Sequence, residues 1–316
     1  MTTEAGATLE TYRVELTGYC YRMLGSPFDA DDAVQETLAR AWQHLDRYDA
    51  SRGPLRPWLY KIATNICLDV LRSAQRRTSA MELAPRSRPG PEIGEPLPES
   101  AWILPVPDQR VISPQADPAD HAALRESVRL AFMTALHRLP PRQRAVLILR
   151  DVLCWQASEV AALLDTTVAS VNSALQRARS TTAPIGSAPA SDEEERQLLD
   201  AYCAAFERYD VDALVALLHK DAISSMPPYT WWLRGRDDIR ASLIAGGGFC
   251  AGARVLPTLA NGSPAYGQYL PVDGGYQPFA LVVLTLSDGL VAEQATFLQA
   301  ERLFPLFDLP LVLPDR

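Results

Sequence analysis

Apolar residues recur every three or four positions along much of the first 182 residues, and this spacing predicts a helical N-terminal half. The pattern covers residues 9–24, is interrupted by Gly25-Ser26-Pro27, and resumes over residues 29–45. After a loop at residues 48–54, one long helix is predicted over residues 55–77. Proline then becomes frequent, and the periodicity is lost until about residue 120. The chain therefore divides into helical blocks joined by a connector.

Two short predicted helices end this helical half. The first covers residues 157–164, and Asp165-Thr166-Thr167 supplies turn and cap residues before a second helix from Val168. The apolar stripe of the second helix is Val168, Val171, Leu175 and Ala178. Its opposite face carries hydroxyl, amide and guanidinium groups and no carboxylate. Such a face suits a DNA groove, because amides and arginines reach base edges while hydroxyls hold phosphates. A solvated helical hairpin of no DNA-binding function has the same pattern.

The segment upstream of this helix pair favours the DNA-binding interpretation. LPPRQRAVLILRDV at residues 139–152 predicts a helix opened by a proline pair, and SVNSALQRAR occupies residues 170–179. With Trp155 between them, these segments resemble region 4 of the sigma-70 family of bacterial RNA polymerase subunits. The resemblance implies a helix-turn-helix domain over residues 120–182 that reads the −35 promoter element. The implied DNA-binding residues are Arg144, Thr167, Ser170, Asn172, Ser173, Gln176, Arg177 and Arg179.

The predicted helix over residues 29–45 has an acidic first turn and an apolar stripe that includes Leu38 and Trp42. Its sequence DADDAVQETLARAW resembles sigma region 2.2, the helix that docks on the clamp of the polymerase largest subunit. That resemblance implies polymerase contacts at Asp31, Asp32, Gln35, Glu36 and Arg40. Acidic residues at a helix start also favour the helix dipole, so the acids alone fit a purely structural role equally well.

The next segment, RPWLYKIATNICLDVLRSAQRR, resembles sigma regions 2.3 and 2.4, which melt and capture the −10 element. That chemistry needs amide or aromatic surfaces for unstacked bases and cations for the single-strand backbone. The implied −10 residues are Asp49, Arg52, Arg56, Trp58, Lys61, Asn65, Arg72 and Arg76. Trp58 and Ile62 have helical spacing, so burial of Trp58 in the core is the alternative to base stacking.

The proline-dense segment at residues 78–119 has no periodicity and predicts an extended, non-folded connector. An apolar island, WILPVPD at residues 102–108, lies inside it. In the sigma family this connector threads the polymerase active-site cleft. Docking of Trp102 on the protein's own domains is an equally good alternative.

Residues 192–316 have a different pattern. Helices are predicted over residues 193–209, 212–219 and 236–245, and strands over residues 277–286 and 289–298 flank a turn at Ser287-Asp288. This order resembles the SnoaL-like branch of the nuclear transport factor 2-like fold, a curved antiparallel sheet wrapped on helices around a pocket. A candidate ligand pocket is formed by Met226, Tyr229, Trp231, Trp232 and Phe279, although an aromatic core predicts the same residues. Asp221, His219, Arg234 and Glu293 are the candidates for acid–base chemistry, without a tight constellation.

Composition adds limits rather than a function. The net charge of −8 argues against uniform coating of nucleic acid, but residues 120–182 carry eight Arg against five Asp and Glu, which allows a local basic face. The five cysteines are scattered and odd in number, so neither a metal site nor a disulfide framework is expected. No apolar run spans a membrane and no signal peptide is evident, which predicts a cytoplasmic protein.

We therefore interpret the chain as multidomain, with two all-α sigma domains and an α+β cone-like SnoaL-like domain. The predicted boundaries are 9–77 for the region 2 helical bundle, 78–119 for the connector, 120–182 for the region 4 helix-turn-helix, and 192–316 for the last domain. The implied function is a sigma factor that binds core RNA polymerase and promoter DNA, without catalysis, cofactor or metal, and with its last domain regulating it in cis. The alternative is a stand-alone DNA-binding regulator with a small-molecule-binding domain.

Overall fold

The computed structural model describes residues 6, 8–45, 48, 54–73, 77–90, 92–113, 117–181 and 192–315. The chain forms two compact units, and each contains two separate stretches of sequence. The first unit holds residues 1–77 and 108–185, and the second holds residues 78–107 and 186–316. Within the described ranges, every helix is too short or too polar to cross a membrane.

The first unit is all-helical, as predicted. Its helices are α1 (Arg13–Leu24), α2 (Pro27–Gln43), α3 (Leu55–Ser73), α4 (Asp108–Val111), α5 (Pro118–Glu126), α6 (Leu130–His137), α7 (Pro141–Leu147), α8 (Ala157–Leu163) and α9 (Val168–Thr181). Helix α7 continues into a π-helical turn over Ile148–Val152. The periodic stretches read from the sequence thus correspond to helices, with boundaries moved by a few residues.

Local sequence explains the turn between α1 and α2. Gly25 adopts a left-handed backbone with φ of 74°, and its N–H donates to the Tyr21 carbonyl at 2.7 Å, which ends α1. The Ser26 hydroxyl accepts from the Asp29 N–H at 3.2 Å and Pro27 occupies the first helical turn, so α2 starts at once. The break predicted at Gly25-Ser26-Pro27 is therefore a helix–helix corner.

The core of the first unit joins α1, α2 and α3 to the helix-turn-helix. Tyr19 and Tyr60 are fully buried with ring centroids 5.0 Å apart, and Tyr60 also lies 5.0 Å from the Trp155 ring. Trp155 directly precedes α8, so aromatic rings run without interruption from α1 into the C-terminal part of the unit. Regions 2 and 4 therefore share one hydrophobic core in this structure.

A buried arginine strengthens the same junction. Arg22 on α1 is 1% exposed, and its guanidinium donates to the Ser127 hydroxyl at 2.8 Å, to the Leu124 carbonyl at 3.0 Å and to the Gly18 carbonyl at 2.7 Å. Burial lowers the pKa of this guanidinium to about 10, so it remains protonated at neutral pH. Arg22, a charged residue that sequence pattern alone would place at the surface, is thus part of the interior.

Two apolar residues that the periodicity assigned to buried stripes are exposed in the structure. Trp42 is 44% exposed near the end of α2, and Val168 is 43% exposed at the start of α9. Both predictions of burial are wrong, because the ends of a helix extend beyond the neighbouring elements that cover its middle. Val171, Leu175 and Ala178, in the interior of α9, are buried as predicted.

The second unit contains a six-stranded sheet flanked by helices, as predicted for the α+β domain. Its strands are β1 (Leu218–Ser225), β2 (Trp232–Arg234), β3 (Arg254–Ala260), β4 (Ser263–Val272), β5 (Gly275–Ser287) and β6 (Leu290–Phe297), in the order β2-β1-β6-β5-β4-β3. The helices are α10 (Asp192–Glu207), α11 (Val211–Ala216), α12 (Arg236–Ala245) and α13 (Ala300–Leu303). Strands β1 and β6 are parallel, so the sheet is mixed rather than purely antiparallel.

The β5–β6 turn lies within one residue of the predicted turn at Ser287-Asp288, whereas the prediction for His219 is wrong. Asp288 and Gly289 form the turn with φ of 52° and 72°, which matches the Asp-Gly preference of tight hairpins. His219, predicted at a helix end, instead belongs to strand β1. The short helix α11 stops at Ala216, and extended chain begins two residues later because sheet pairing with β6 takes over at Leu218.

The connector is only partly extended, because it contains a short helix at Ala80–Leu83 and a 3-10 turn at Glu99–Ala101, and its residues 78–107 pack in the second unit rather than being free. The Val106 N–H donates to the Asn261 side-chain oxygen at 2.9 Å, and the Asn261 N–H donates back to the Val106 carbonyl at 3.0 Å. Trp102 is 1% exposed, and Arg302 forms an ion pair with Glu99 at 2.5 Å. Docking on the protein's own domain, one of the two alternatives left open for Trp102, is what the structure contains.

Candidate nucleic-acid interface

Helix α9 exposes the predicted recognition face. Asn172, Ser173, Gln176 and Arg177 are all exposed, and Val171 and Leu175 anchor the opposite side in the core. The Thr167 hydroxyl accepts from the Ser170 N–H at 3.1 Å and lies 2.9 Å from the Ser170 hydroxyl, which caps the helix. The amides and the Arg177 guanidinium are therefore presented by a rigid helix whose start is held in place.

Two arginines assigned to this face have other partners. Arg179 forms a bidentate ion pair with Asp151 at 2.8 and 2.7 Å, which raises the pKa of the guanidinium and orients it along the protein surface. Arg144 is 3% exposed and donates to the carbonyls of Met23, His137 and Leu139. In this structure the Arg144 guanidinium therefore binds buried carbonyls and does not reach the exposed face of α9.

Val168 is a surface feature that sequence reasoning missed. It lies on the first turn of α9 and is 43% exposed beside the polar face. An apolar side chain at this position can contact the methyl group of thymine in a major groove. The signal was present in the sequence, since Val168 is the first residue of its stripe and helix ends are often uncovered.

A surface cleft of about 390 Å³ surrounds Asn65, the residue that the resemblance assigns to a flipped −10 base. Its other lining residues are Arg40, His44, Trp58 and Ile62. Trp58 is half-buried, and its ring stacks on Tyr48 with centroids 5.4 Å apart. The cleft thus combines an exposed amide, an aromatic wall and a cation. Arg40, assigned to the polymerase, lines this cleft and also pairs with Glu36 at 2.6 Å.

The remaining −10 residues divide into three groups. Asp49, Arg52 and Arg76 lie outside the described residues. Arg72 is exposed at the end of α3 and pairs with Asp69 at 2.7 Å. Arg56 and Lys61 contact other parts of the first unit, as described next.

Lys61 and Arg56 are engaged by the helix-turn-helix itself. The Lys61 ammonium lies 2.8 Å from the Asp165 carboxylate in the turn between α8 and α9. The Arg56 guanidinium lies 5.4 Å from the ring centroids of both Tyr60 and Trp155, and pairs with Glu15 at 3.1 Å. These cations of α3 are therefore engaged by protein groups in the described state, although both remain partly exposed to solvent.

The acidic first half of α2 lines a second cleft, of about 550 Å³. Asp32 and Gln35 are exposed there, whereas Asp31 forms an ion pair with Arg110 of α4 at 2.7 Å. Helix α4 is held against α1 because Gly18, having no side chain, allows the Val111 carbonyl to approach closely. Helix α4, in the last part of the predicted connector, thus covers part of the predicted polymerase surface.

Comparison with known proteins agrees with this geometry. The profile of sigma-70 region 2 matches residues 8–77, and that of sigma-70 region 4 matches residues 129–181. The chain is 45% identical over 315 residues to the ECF RNA polymerase sigma factor SigG of Mycobacterium tuberculosis, covering 96% of this chain and 83% of SigG. The chain belongs to the extracytoplasmic-function (ECF) sigma factors of the sigma-70 family. As an ECF sigma factor, it is a transcription initiation factor that works with core RNA polymerase and promoter DNA.

A solved structure extends the similarity over the whole chain of this ECF sigma factor. The structure of the M. tuberculosis ECF sigma factor SigJ matches with a TM-score of 0.62 at 24% identity, covering 96% of this chain and 99% of SigJ. The matched region includes the C-terminal part, so the α+β fold of this domain is also found in SigJ.

The five candidate pocket residues of the C-terminal domain fall around one buried cluster. Trp231 is a member of that cluster, and Met226, Tyr229 and Phe279 pack against it while partly exposed. Trp232 points elsewhere, because its indole N–H donates to the Ala84 carbonyl of the connector at 3.0 Å. Four of the five candidate pocket residues therefore belong to or contact one buried cluster, whereas Trp232 forms a hydrogen bond with the connector.

The acid–base candidates of this domain do not converge. Asp221 and Arg234 are exposed, and the His219 Nδ1 accepts from the Asp221 N–H at 3.2 Å. Glu293 pairs in register with Thr285 on β5, while the next residue, Gln294, reaches the interior and accepts from the Tyr202 hydroxyl at 2.8 Å. Because successive strand residues face opposite sides, Glu293 lies on the outer side of the sheet.

We expect Glu293→Gln to stabilise the protein at pH 8 and to leave stability unchanged near pH 4. Burial raises the pKa of the Glu293 carboxyl from 4.5 to about 7. Between these values the folded state binds more protons than the unfolded state, so stability falls as pH rises from 4.5 through 7. At about 1.4 kcal/mol per pKa unit, the gain at pH 8 is about 1–3 kcal/mol.

Thermal unfolding at the two pH values measures this difference, with the exposed Glu301→Gln as the matched control. Equal effects of Glu293→Gln at both pH values would contradict the assigned burial.

Proposed function

We propose that this sigma factor reads the −35 element with Asn172, Ser173, Gln176 and Arg177 and captures unstacked −10 bases in the cleft around Asn65. The observation that carries the proposal is that cleft, in which an exposed amide, the stacked Trp58 ring and a guanidinium meet at one solvent-open site. Aromatic stacking and amide hydrogen bonds are what single-stranded bases need. On α9, amide and guanidinium groups project from a capped helix, as duplex readout requires.

Asp32 and Gln35 are our proposed contacts to the polymerase clamp, together with Asp31 once Arg110 has moved. They lie in a row on one side of α2, and the cleft of about 550 Å³ beside them offers a concave docking surface. Because the partner enzyme works in the cytoplasm, we assign the protein to that compartment.

In vitro transcription with core polymerase distinguishes the proposed sigma function from that of a stand-alone DNA-binding regulator. The full chain should direct promoter-specific transcripts, and Asp32→Ala or Gln35→Ala should abolish them while duplex binding through α9 is retained. A regulator that acts without polymerase would be insensitive to both substitutions. Absence of any promoter-specific transcript with the unaltered chain would refute the sigma assignment of these surfaces.

The described state of the first unit is, in this proposal, the closed form of the factor. The −35 and −10 elements lie about 25 base pairs apart, or roughly 85 Å at 3.4 Å per pair. A chain whose Lys61 is paired with Asp165 cannot reach both elements, because the two helices that read them are then in contact. Engagement therefore requires region 4 to separate from region 2.

We expect the double variant Asp165→Asn, Arg110→Gln to bind core polymerase about two- to tenfold more tightly than the unaltered chain. Each substitution removes one ion pair that holds the closed form, and exposed pairs of this kind contribute modestly. Asparagine suits position 165, where φ is 49°. Lys61 and Asp31 remain available for DNA and polymerase. Fluorescence anisotropy with labelled protein measures the affinity.

The matched control for that variant is Arg196→Gln, which removes an exposed ion pair to Glu193 in the second unit. Its affinity for polymerase should equal that of the unaltered chain. Equal or weaker binding by the double variant would mean that the closed form does not compete with polymerase.

We propose that the C-terminal domain regulates the sigma factor in cis by binding the connector. The connector joins the two stretches of the first unit, and its bonds to Asn261, Trp232 and Arg302 restrain the length of chain available when region 4 moves away. We propose no catalysis by this domain, because Asp221 and Arg234 are exposed and the partly buried Glu293 lies on the opposite face of β6 from Gln294, so the three groups do not meet at one site.

A further inference from the structure

The first turn of α9 presents an apolar surface to solvent. Val168 is 43% exposed, and its neighbour Ala169 is exposed as well. Both precede the buried part of the helix, which begins at Val171. Because α9 is the proposed reader of the −35 element, these two apolar side chains lie where the N-terminal end of a recognition helix meets base edges in the major groove.

The polar side chains around this turn are used to start the helix. The Thr167 hydroxyl accepts from the Ser170 N–H at 3.1 Å and lies 2.9 Å from the Ser170 hydroxyl. Hydroxyl groups that bond to each other and to the backbone have less capacity left for a base or a phosphate. The surface that the first turn offers to DNA is therefore mainly that of Val168 and Ala169.

The first half of α9 has no charged side chain. Residues 166–176 contain neither an acid nor a base, and the arginines of the helix follow at Arg177 and Arg179. Arg179 is in addition paired with Asp151. Side-chain contacts at the start of α9 therefore depend on the bases rather than on ion pairs with phosphates.

Only one group in the major groove matches an apolar side chain. Every base pair shows hydrogen-bond donors and acceptors there, and thymine alone adds a methyl group at C5. Cytosine lacks that methyl group and shows an amino donor, for which the Val168 side chain has no acceptor. A methyl group packed on valine removes apolar surface of both partners from water. Recognition of a thymine is thus what the first turn can add to sequence readout.

The geometry of the helix indicates where that thymine lies. Val168 and Asn172 are one helical turn apart, on the same side of α9, with a rise of about 6 Å between them. Since stacked base pairs are about 3.4 Å apart, the two side chains reach bases within about two base pairs of each other. The Asn172 amide suits adenine, which presents an acceptor at N7 and a donor at N6.

We propose that Val168, with Ala169 beside it, packs against the 5-methyl group of a thymine in the −35 element and makes this sigma factor select thymine at that one position. Val168 is then a specificity-determining residue whose contact needs no hydrogen bond. The thymine contact deepens the proposed −35 readout by α9 and rests on it.

The test uses polymerase holoenzyme formed with the full chain and a promoter that this holoenzyme selects from random duplexes. Each thymine of the −35 element, on either strand, is replaced singly by deoxyuridine, which removes the methyl group and keeps every hydrogen-bonding group. Competition binding should show one position at which affinity falls roughly three- to tenfold, the effect expected when a methyl group and the valine surface it covers stay in water. Val168→Ser should lose this sensitivity, and Val168→Ile should keep it, because isoleucine remains apolar.

The matched control is Val312→Ser, because Val312 is an exposed valine of the second unit, with 70% of its surface accessible. Its holoenzyme should respond to deoxyuridine as the unaltered holoenzyme does. Val168 contributes little to the buried side of α9, so Val168→Ser should melt at the same temperature as the unaltered chain.

A selected −35 element without thymine, no loss of affinity at any deoxyuridine, or the same loss in Val168→Ser would overturn the thymine contact. The proposed −35 readout is measured separately, as the preference of the unaltered holoenzyme for the selected promoter over a duplex with a scrambled −35 element. A holoenzyme that keeps this preference but ignores the methyl groups retains α9 as its reader and loses only the contact at Val168.

Discussion

Replacing Gln176 and Arg177 together by alanine should reduce promoter binding and −35-dependent transcription by roughly 30- to 20,000-fold. Each side chain is exposed on the outer face of α9, and neither has a side-chain partner among the described residues. Amide and guanidinium contacts to base edges contribute about 1–3 kcal/mol each, and 1.4 kcal/mol corresponds to a factor of ten. Arg179→Ala should have a smaller effect, because Asp151 already holds that guanidinium.

The measurement is footprinting of a selected promoter with polymerase holoenzyme, followed by run-off transcription. The matched control replaces Gln197 and Arg208, an amide and a guanidinium exposed on α10 or next to its end. If promoter binding and transcription fell no further than in the control pair, α9 would not be the recognition helix. The unfolding temperature of each variant shows whether it is folded.

The second large effect is expected from Arg144→Met. The guanidinium joins the Met23 carbonyl of α1 to the His137 and Leu139 carbonyls that precede α7, and it is 3% exposed. Methionine has a similar length but no donors, so three carbonyl groups would lose a charged partner inside the protein. We expect the free energy of unfolding of the first unit to fall by about 2–4 kcal/mol, with a drop of roughly 5–15 °C in melting temperature.

Thermal unfolding followed by circular dichroism measures that loss. Arg142→Met is the matched control, because Arg142 lies on the same helix and is exposed. If both variants melted within a degree of each other, the buried guanidinium would not be what ties α1 to α7.

Sequence pattern was a good guide to the elements and to the exposed face of α9. Helical spacing located every long helix of the first unit, since an amphipathic stripe must be buried wherever such a helix packs. The polar face of α9 could be assigned for the same reason: Val171, Leu175 and Ala178 define the buried side, and Gln176 and Arg177 must then point outward. The β5–β6 hairpin was predicted from its turn signal, but with the turn at Ser287-Asp288, one residue before the Asp288-Gly289 turn of the structure.

The same pattern could not separate buried from exposed arginines. Arg144 and Arg142 both belong to an arginine-rich run next to a proline pair, and only one of them reaches solvent. Arg22 is similarly hidden by residues about a hundred positions away. The reason is that burial of a cation depends on carbonyl groups gathered from distant segments, which no local periodicity reports.

The amino-acid sequence by itself determined the family, the long amphipathic helices, the recognition face of α9 and the α+β nature of the last domain, because these depend on short-range spacing and motif. Only the tertiary structure decided that Lys61 is held by Asp165, that Asp31 is held by Arg110, and that the connector is bound to the C-terminal domain. Those contacts join residues from 79 to 155 positions apart, and their formation depends on how whole elements pack. Whether a binding residue is accessible is therefore a property of the folded chain.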